Sequence, residues 1–451
     1  MEPLPGALLT DLYQLTMIQA YLESGQTGTA VFEFFVRKLP PQRSFLMVAG
    51  LDQALGFLEN LRFSTDELDW LKKTGRFSES VIDYLANFRF RGEVQAMPEG
   101  TAFFANEPIL RVIAPLPEAQ LVETRLINIL QFQTLTASKA ARMVLLAPDK
   151  LLVDFGLRRA HGADAGLMAA RASYIAGFAG TATLLAEKAF GIPTYGTMAH
   201  SFVQSFDNEA AAFEAFARAR PKNLTLLIDT YDTEAAARKV VALVPRLKEL
   251  GITVGSVRID SGDLAALAKS VRWILDAGGF SDTGIFVSGG IDEDMLTTFA
   301  REKAPIDGIG IGTSLVTSFD APALDCAYKL QEYAGLPRRK RSTGKATWPG
   351  RKQVWRRYDR YGRMMADTLS VEGDAHDGEP LIRPVMTGGR RIGPQPSLHD
   401  IRAHAHHELE RLPAEFRELS PIVPYPVQVS ASLEQLAAVT DRRMSLPELQ
   451  R

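Results

Sequence analysis

His200, Asp229 and Asp260 stand where this chain could do chemistry, because each lies at the end of a short apolar run, beside small or polar residues. His200 follows Gly196, Thr197 and Met198 and precedes Ser201, so its ring would project among small side chains. An imidazole there suits proton transfer, metal ligation or transient phosphorylation, since it is largely neutral and nucleophilic near pH 7. A structural histidine is the alternative. The acids come in two pairs, Asp229 with Asp232 in DTYD and Asp260 with Asp263 in DSGD. Paired carboxylates could hold Mg²⁺ together with substrate oxygens, or accept from ribose hydroxyls. The second acid of each pair suits a helix N-cap better, which leaves Asp229 and Asp260 as the functional candidates. GIGIGTS at 308–314 offers backbone N–H groups and a helix start to an anion, although it is neither a Walker loop nor a dinucleotide fingerprint. Arg258 precedes Asp260 by two, and Arg158 and Arg159 follow Phe155 and Gly156. An arginine fork can clamp a carboxylate or a phosphate, while Arg159 reads better as an exposed or interface residue. His399, His404, His406 and His407 crowd one late helix without carboxylates in a fixed triad, so no metal site is expected there.

The elements that must position these residues recur between about 151 and 313. Six apolar runs, at 151–156, 193–198, 224–229, 253–260, 284–290 and 306–313, each precede a small or acidic cluster, and most lead on to a helical stretch. Leu264, Leu267, Val271, Ile274 and Leu275 keep one helix face apolar before Gly278 and Gly279, and Val240, Val241, Val244, Leu247 and Leu250 do so before Gly251, with Pro245 as an expected kink. Strands buried on both faces imply a parallel sheet covered by helices. The count predicts a closed or nearly closed α/β barrel, with an open doubly wound sheet as the alternative. In both, ligands sit at the C-terminal ends of the strands, where one rim would collect residues 154–159, 197–201, 229–232, 258–263, 288–290 and 310–313. Turns also favour Gly and Asp, which explains any one of these loops but poorly explains six.

The first ~115 residues mix β-rich pieces with helices and read as a separate α+β domain. Residues 338–363 carry eleven Lys or Arg and one acid, Asp359, and read as a solvated basic hairpin, since aromatics are few. Pro-rich pieces at 393–397 and 420–428 flank a helix near 399–412, as in a tail wrapping the other domains. Over 451 residues, 46% hydrophobic and 23% charged, the proportions exclude disorder, collagen and coiled coil. A net charge of −2 gives no global reason to expect nucleic acid or a membrane as partner, so small molecules become the default ligands. The single cysteine, Cys326, can form neither an internal disulfide nor a cysteine-based zinc cluster. With no basic stretch ahead of the first apolar residues and no run of about 18 apolar residues, a cytoplasmic protein is expected. The residues alone thus reach an α/β barrel enzyme for a phosphorylated, anionic small molecule.

At these positions the sequence resembles the nicotinate phosphoribosyltransferase family. The resemblance runs through LLTDLYQLTM at 8–17, FEFFVRKLP at 32–40, ETRLINILQFQTLTASKAAR at 123–142, DFGLRRAHG at 154–162 and GTMAHSFVQSF at 196–206. It continues through LLIDTYDT at 226–233, VRIDSGDL at 257–264, VSGGID at 287–292, GIGTSL at 310–315 and PGRKQVW at 349–355. It implies the type II phosphoribosyltransferase fold: an N-terminal α/β sandwich domain (1–115), an irregular TIM-like α/β barrel (116–330), and a C-terminal extension (331–451) that packs back on the first domain. The implied reaction joins nicotinate and 5-phosphoribosyl 1-pyrophosphate into nicotinate mononucleotide and pyrophosphate, a salvage route to NAD. It would use Mg²⁺, held with the substrate phosphates and no site fixed by protein alone, and ATP as co-substrate through a phosphohistidine, in a homodimer with the active site at the subunit interface.

Carried over residue by residue, the resemblance makes His200 the phosphorylated histidine, Tyr13 the tyrosine reaching the pyridine from the partner chain, and Phe155 the ring beneath the base. Arg158, Thr197, Ser201 and Arg258 match positions around nicotinate and the sugar phosphates. Gly310, Gly312 and Thr313 match the 5′-phosphate loop, and Gly290 joins the substrate-binding set. Asp260 is the expected carboxylate nearest the ribose, with Asp229 beside it in the catalytic group. In nicotinamide-using relatives the motif matching Gly180 and Thr181 continues with an aspartate, where this chain has Ala182; an acid there would repel a carboxylate substrate, so nicotinate is favoured.

Overall fold

Runs of Val, Ile and Leu flanked by turn-forming residues build the parallel sheet of the central segment. The computed structural model describes residues 6–419 and 423–445, so the first five residues of the N-terminal segment and residues 420–422 of the second Pro-rich piece lie outside the described residues. The strands are β1 (Leu151–Asp154), β2 (Gly180–Thr181), β3 (Leu224–Leu227), β4 (Val254–Ile259), β5 (Gly284–Ser288) and β6 (Gly308–Ile311). Their order across the sheet is β2-β1-β6-β5-β4-β3, all parallel. The first strand pairs with the last, Val153 opposite Gly310. That cyclic order belongs to a barrel and not to a doubly wound sheet, in which the winding reverses at an interior strand. The sheet is a curled half-barrel, open between β2 and β3.

The run at 193–198 does not form the expected strand. Pro193 has no N–H to give a ladder, and the segment makes a single bridge, Thr181 with Thr194. It lies in the opening nonetheless: the Tyr195 N–H donates to the Thr181 carbonyl (2.9 Å), and the Thr197 hydroxyl donates to the Thr225 carbonyl (2.6 Å). A side chain thus links this segment to β3 where backbone pairing fails. The strand that sequence reading missed, Gly180–Thr181, is too short to show any period.

Asp232 and Asp263 are N-caps, accepting from the backbone of Ala235 (2.7 Å) and Ala266 (3.1 Å) at the heads of helices Thr233–Glu249 and Leu264–Ala277. Each cap fixes where its helix leaves the rim, and the buried faces, including Val240, Val244 and Leu247 on one and Val271 and Leu275 on the other, cover the sheet. Pro245 lies inside the first of these helices, which continues past it to Glu249. This unit spans Lys139–Pro322.

The second unit joins residues 1–138 with 323–451. Its sheet is built around Thr29–Val36, antiparallel to Pro108–Pro115 on one side and to Cys326–Tyr333 on the other. Glu93–Ala96 likewise pairs with Arg383–Thr387, so the C-terminal part of the chain supplies strands to the N-terminal sheet. Phe32 stacks on Tyr328 with ring centroids 4.9 Å apart, which seals that junction.

The basic run does form a hairpin, Lys352–Tyr358 against Met364–Val371, but it is not uniformly solvated. Lys352 is buried 2.7 Å from Glu33, and Arg356 is buried between Asp367 (2.6 Å) and Glu408 (3.0 Å). Those charges face inward because matching acids from other strands and from helix Leu398–Arg411 wait for them. Among the described residues no three His, Cys, Asp or Glu gather as a metal site, and no helix is long and apolar enough to cross a membrane.

Candidate active site

The C-terminal rim of the half-barrel brings His200, Asp229, Arg258 and Asp260 together. Asp229 follows β3 and Asp260 follows β4, so adjacent strands deliver both carboxylates to one place. Asp229 Oδ2 accepts from the Asp260 N–H (2.9 Å) and the Ser261 hydroxyl (2.6 Å), which fixes the two loops against each other. Its other oxygen, Oδ1, is buried without a hydrogen-bond partner. His200 opens the short helix His200–Gln204, and its Nε2 lies 3.9 Å from Asp229 Oδ1 and 3.8 Å from Asp260 Oδ2. These are ion-pair separations, too long for hydrogen bonds. Nδ1 lies 3.2 Å from the Thr230 hydroxyl, and the ring is 39% exposed, so a ligand can reach it.

Asp260 Oδ1 is occupied: Arg258 Nη2 donates to it at 2.6 Å, and the Ser288 hydroxyl makes a short bond to it. Arg258 Nε also donates to Ser288 Oγ (2.8 Å), closing a three-residue network across β4 and β5. Burial raises the Asp260 carboxyl, but the Ser288 hydrogen bond and the Arg258 and His200 charges outweigh it, and the group sits below its usual value. Asp260 is therefore anionic, with Oδ2 turned towards His200. Ser288 lies within the expected rim; a serine ending an apolar strand gives no sign by itself that it braces the acid at the end of the neighbouring strand.

Phe155 stacks on Phe286 with centroids 5.6 Å apart, and the Arg258 guanidinium lies 5.5 Å from its ring centre. Gly310 makes room for that ring, because a Cβ there would fall 2.5 Å from Phe155 Cδ2. In the neighbouring loop both glycines have left-handed backbone: Gly289 at φ +101°, where a Cβ would also meet the Asp260 carbonyl at 2.0 Å, and Gly290 at φ +66°, where a Cβ would face open space. Beneath Phe155, Asp154 is fully buried and accepts from the Gly156 N–H (2.8 Å) and the Thr181 hydroxyl (2.7 Å). Burial pushes its carboxyl up to about 6, against those two bonds, which lower it. Its carbonyl accepts from the Ala182 N–H (2.8 Å), so one residue ties the Phe155 loop to the loop bearing Ala182.

Of the remaining expected residues, Arg158, Ser201 and Thr313 are exposed, and Gly312 caps the helix Thr313–Val316. Thr197 spends its hydroxyl proton on the barrel backbone. Tyr13 belongs to the other unit, on helix Leu12–Glu23, where it is 46% exposed. For a divalent cation the donor set is suitable, since Asp229 Oδ1 and Asp260 Oδ2 are hard oxygens not already saturated by hydrogen bonds.

Fold and site together define an α/β-barrel enzyme whose acids, imidazole and arginine converge on the strand C-terminal rim. Family models narrow that class: nicotinate phosphoribosyltransferase N-terminal domain over residues 8–131, the nicotinate phosphoribosyltransferase family over 151–334, and its C-terminal domain over 371–437. The chain belongs to the nicotinate phosphoribosyltransferase family. It is 51% identical over 427 residues to the nicotinate phosphoribosyltransferase pncB2 of Mycobacterium tuberculosis, covering 94% of this chain and 92% of that one. It is 36% identical over 457 residues to the nicotinate phosphoribosyltransferase of Bacillus subtilis, covering 94% and 93%. Among solved structures, human nicotinic acid phosphoribosyltransferase superposes with a TM-score of 0.85 at 30% identity, over 96% of this chain and 99% of that one.

Proposed function

We propose that this chain transfers the phosphoribosyl group of 5-phosphoribosyl 1-pyrophosphate to nicotinate, as a step of NAD salvage, and that ATP hydrolysis is coupled to the transfer through phosphorylation of His200. The observation that carries the reading is the imidazole of His200 facing the Asp229 and Asp260 carboxylates at 3.9 and 3.8 Å, at a rim shared with Phe155 and Arg258.

In the transfer, the pyridine nitrogen forms a bond to the anomeric carbon while the bond from that carbon to the pyrophosphate oxygen breaks, and the leaving group keeps the electron pair. The nitrogen is a nucleophile at neutral pH, so placement matters more than activation. Phe155 supplies a flat floor for the ring. Arg258 already donates to Asp260 and Ser288, which makes the exposed Arg158 the guanidinium with room for the nicotinate carboxylate. The absence of an acid at Ala182 lets that carboxylate approach. Cationic character builds on the ribose as the bond breaks, and the Asp260 carboxylate, held anionic by Arg258 and Ser288, stabilises it. Asp229 and Asp260 would hold magnesium with the substrate phosphates, and the bound ion would neutralise charge on the departing pyrophosphate.

For ATP coupling, a ring nitrogen of His200 forms a bond to the γ-phosphorus as ADP leaves with the bridging oxygen, and water later cleaves the N–P bond to release phosphate. The two carboxylates would hold the proton on one ring nitrogen and leave a lone pair on the other. Phosphorylation adds up to about two negative charges beside the phosphate loops, which can change substrate affinity. A homodimer with Tyr13 reaching the partner's site completes the reading, and the exposed Leu157, Leu184 and Leu185, close in sequence to Arg158 and Ala182, give such a partner apolar surface to cover.

The test is product formation from 5-phosphoribosyl 1-pyrophosphate and Mg²⁺ with nicotinate, nicotinamide or quinolinate in parallel, each with and without ATP. Nicotinate mononucleotide, formed faster with ATP, is expected. Product from another base in preference, or from none, would refute the proposal.

A further inference from the structure

Helix Glu123–Leu146 carries two buried cations, Lys139 and Arg142, that take no part in the chemistry described above. Lys139 Nζ lies 2.6 Å from Glu293 Oε2 and 2.7 Å from Asp320 Oδ1. Arg142 Nη1 reaches the same two acids, at 3.7 and 3.2 Å. Glu293 is the first residue of the helix that follows the Gly289–Gly290 turn, and Asp320 lies just beyond the helix Thr313–Val316 that follows Gly312. The cluster therefore joins the ends of two neighbouring rim loops, after β5 and after β6. A third tie runs between the loops themselves, where the Ser314 hydroxyl donates to the Ile291 carbonyl at 2.5 Å.

Burying Lys139, Arg142 and Glu293 against the more exposed Asp320 adds little net stability compared with apolar packing, because desolvation offsets most of the attraction. What it provides is fixed geometry, since one ammonium holds a carboxylate from each loop. We infer that Lys139 is a positioning residue for the phosphoribosyl substrate: it clamps the Gly289–Glu293 loop and the Gly312–Asp320 segment at the spacing that binding of this substrate requires. The inference rests on the preceding reading of Gly310, Gly312 and Thr313 as the 5′-phosphate loop and of Gly290 as a substrate-binding residue. Its effect should fall mainly on that substrate, because the Phe155 and Ala182 loops are braced by Asp154 and not by the acids that Lys139 holds.

The experiment compares wild type, Lys139→Met and the double variant Lys139→Met/Glu293→Gln, reading melting temperature, KM for each substrate, and calorimetric binding of 5-phosphoribosyl 1-pyrophosphate. In Lys139→Met, KM for 5-phosphoribosyl 1-pyrophosphate should rise about tenfold or more while that for nicotinate stays within about twofold. The double variant, which removes cation and anion together, should regain melting temperature yet keep the raised KM. A purely structural role would instead restore KM together with melting temperature, and that result, or an unchanged KM in both variants, overturns the inference. If wild type itself fails to bind 5-phosphoribosyl 1-pyrophosphate, the assignment of the loops falls and the inference with it.

Discussion

Asp154 shows most clearly how one side chain can matter without touching a ligand. It is fully buried, and burial holds its carboxyl near 6, above an ordinary aspartate. A raised folded-state value means that the contribution of this group to stability is complete below about pH 4 and is lost as pH rises through 6. The shift of roughly two units corresponds to about 3 kcal/mol. Asp154→Asn cannot titrate, so wild type should lose melting temperature relative to the variant by several degrees between pH 4 and pH 7. Scanning fluorimetry of both proteins across that range checks this, and a constant gap would show that Asp154 ionises normally. The same residue was legible in the sequence only as a strand end. Its bonds to Thr181 and Gly156 come from chain segments whose proximity depends on the barrel order, which no local pattern displays.

At the scale of elements, the strand ends and N-caps were readable because their signals are local: an apolar run, an acid, then a helical period. Asp229, Asp232, Asp260 and Asp263 all do what that grammar suggests, two facing the rim and two capping helices. What escaped were features set by distant partners. The run at 193–198 looked like a strand but is held by a proline carbonyl and a threonine hydroxyl, and the basic hairpin looked solvated although Lys352 and Arg356 pair with buried acids. Lys139 lay in plain view in a helix whose role only the β5 and β6 loops reveal. The pairing of β1 with β6 has its own consequence, since it sets Gly310 against the Phe155 ring. Gly310→Ala would push a Cβ into that ring, costing about 1–3 kcal/mol in packing and tilting the floor beneath the base. KM for nicotinate should rise about tenfold. An unchanged nicotinate KM, with the variant folded, would mean that Phe155 does not support the pyridine.

For the whole molecule, the half-barrel gathers nearly every expected site residue into one unit, while Tyr13 lies in the other. If Tyr13 serves the partner's site, Tyr13→Ala and His200→Ala should each be nearly inactive alone but regain activity when dissociated and reassembled together. Half of the randomly formed dimers would carry both chains, and one of their two sites would be intact, giving about a quarter of wild-type activity. Steady-state rates of the reassembled mixture measure this, and no recovery would place Tyr13 and His200 of the same chain in one site.

The proposed transfer of a phosphoryl group from ATP to His200, which faces Asp229 and Asp260, has a direct chemical readout. It is tested most directly by incubating wild type and His200→Ala with γ-³²P-labelled ATP and Mg²⁺ and measuring acid-labile, base-stable label on the protein. Near-stoichiometric label on wild type and none on the variant is expected, together with loss of nicotinate-stimulated ATP hydrolysis; equal label on both proteins would rule out His200 as the phosphorylated residue.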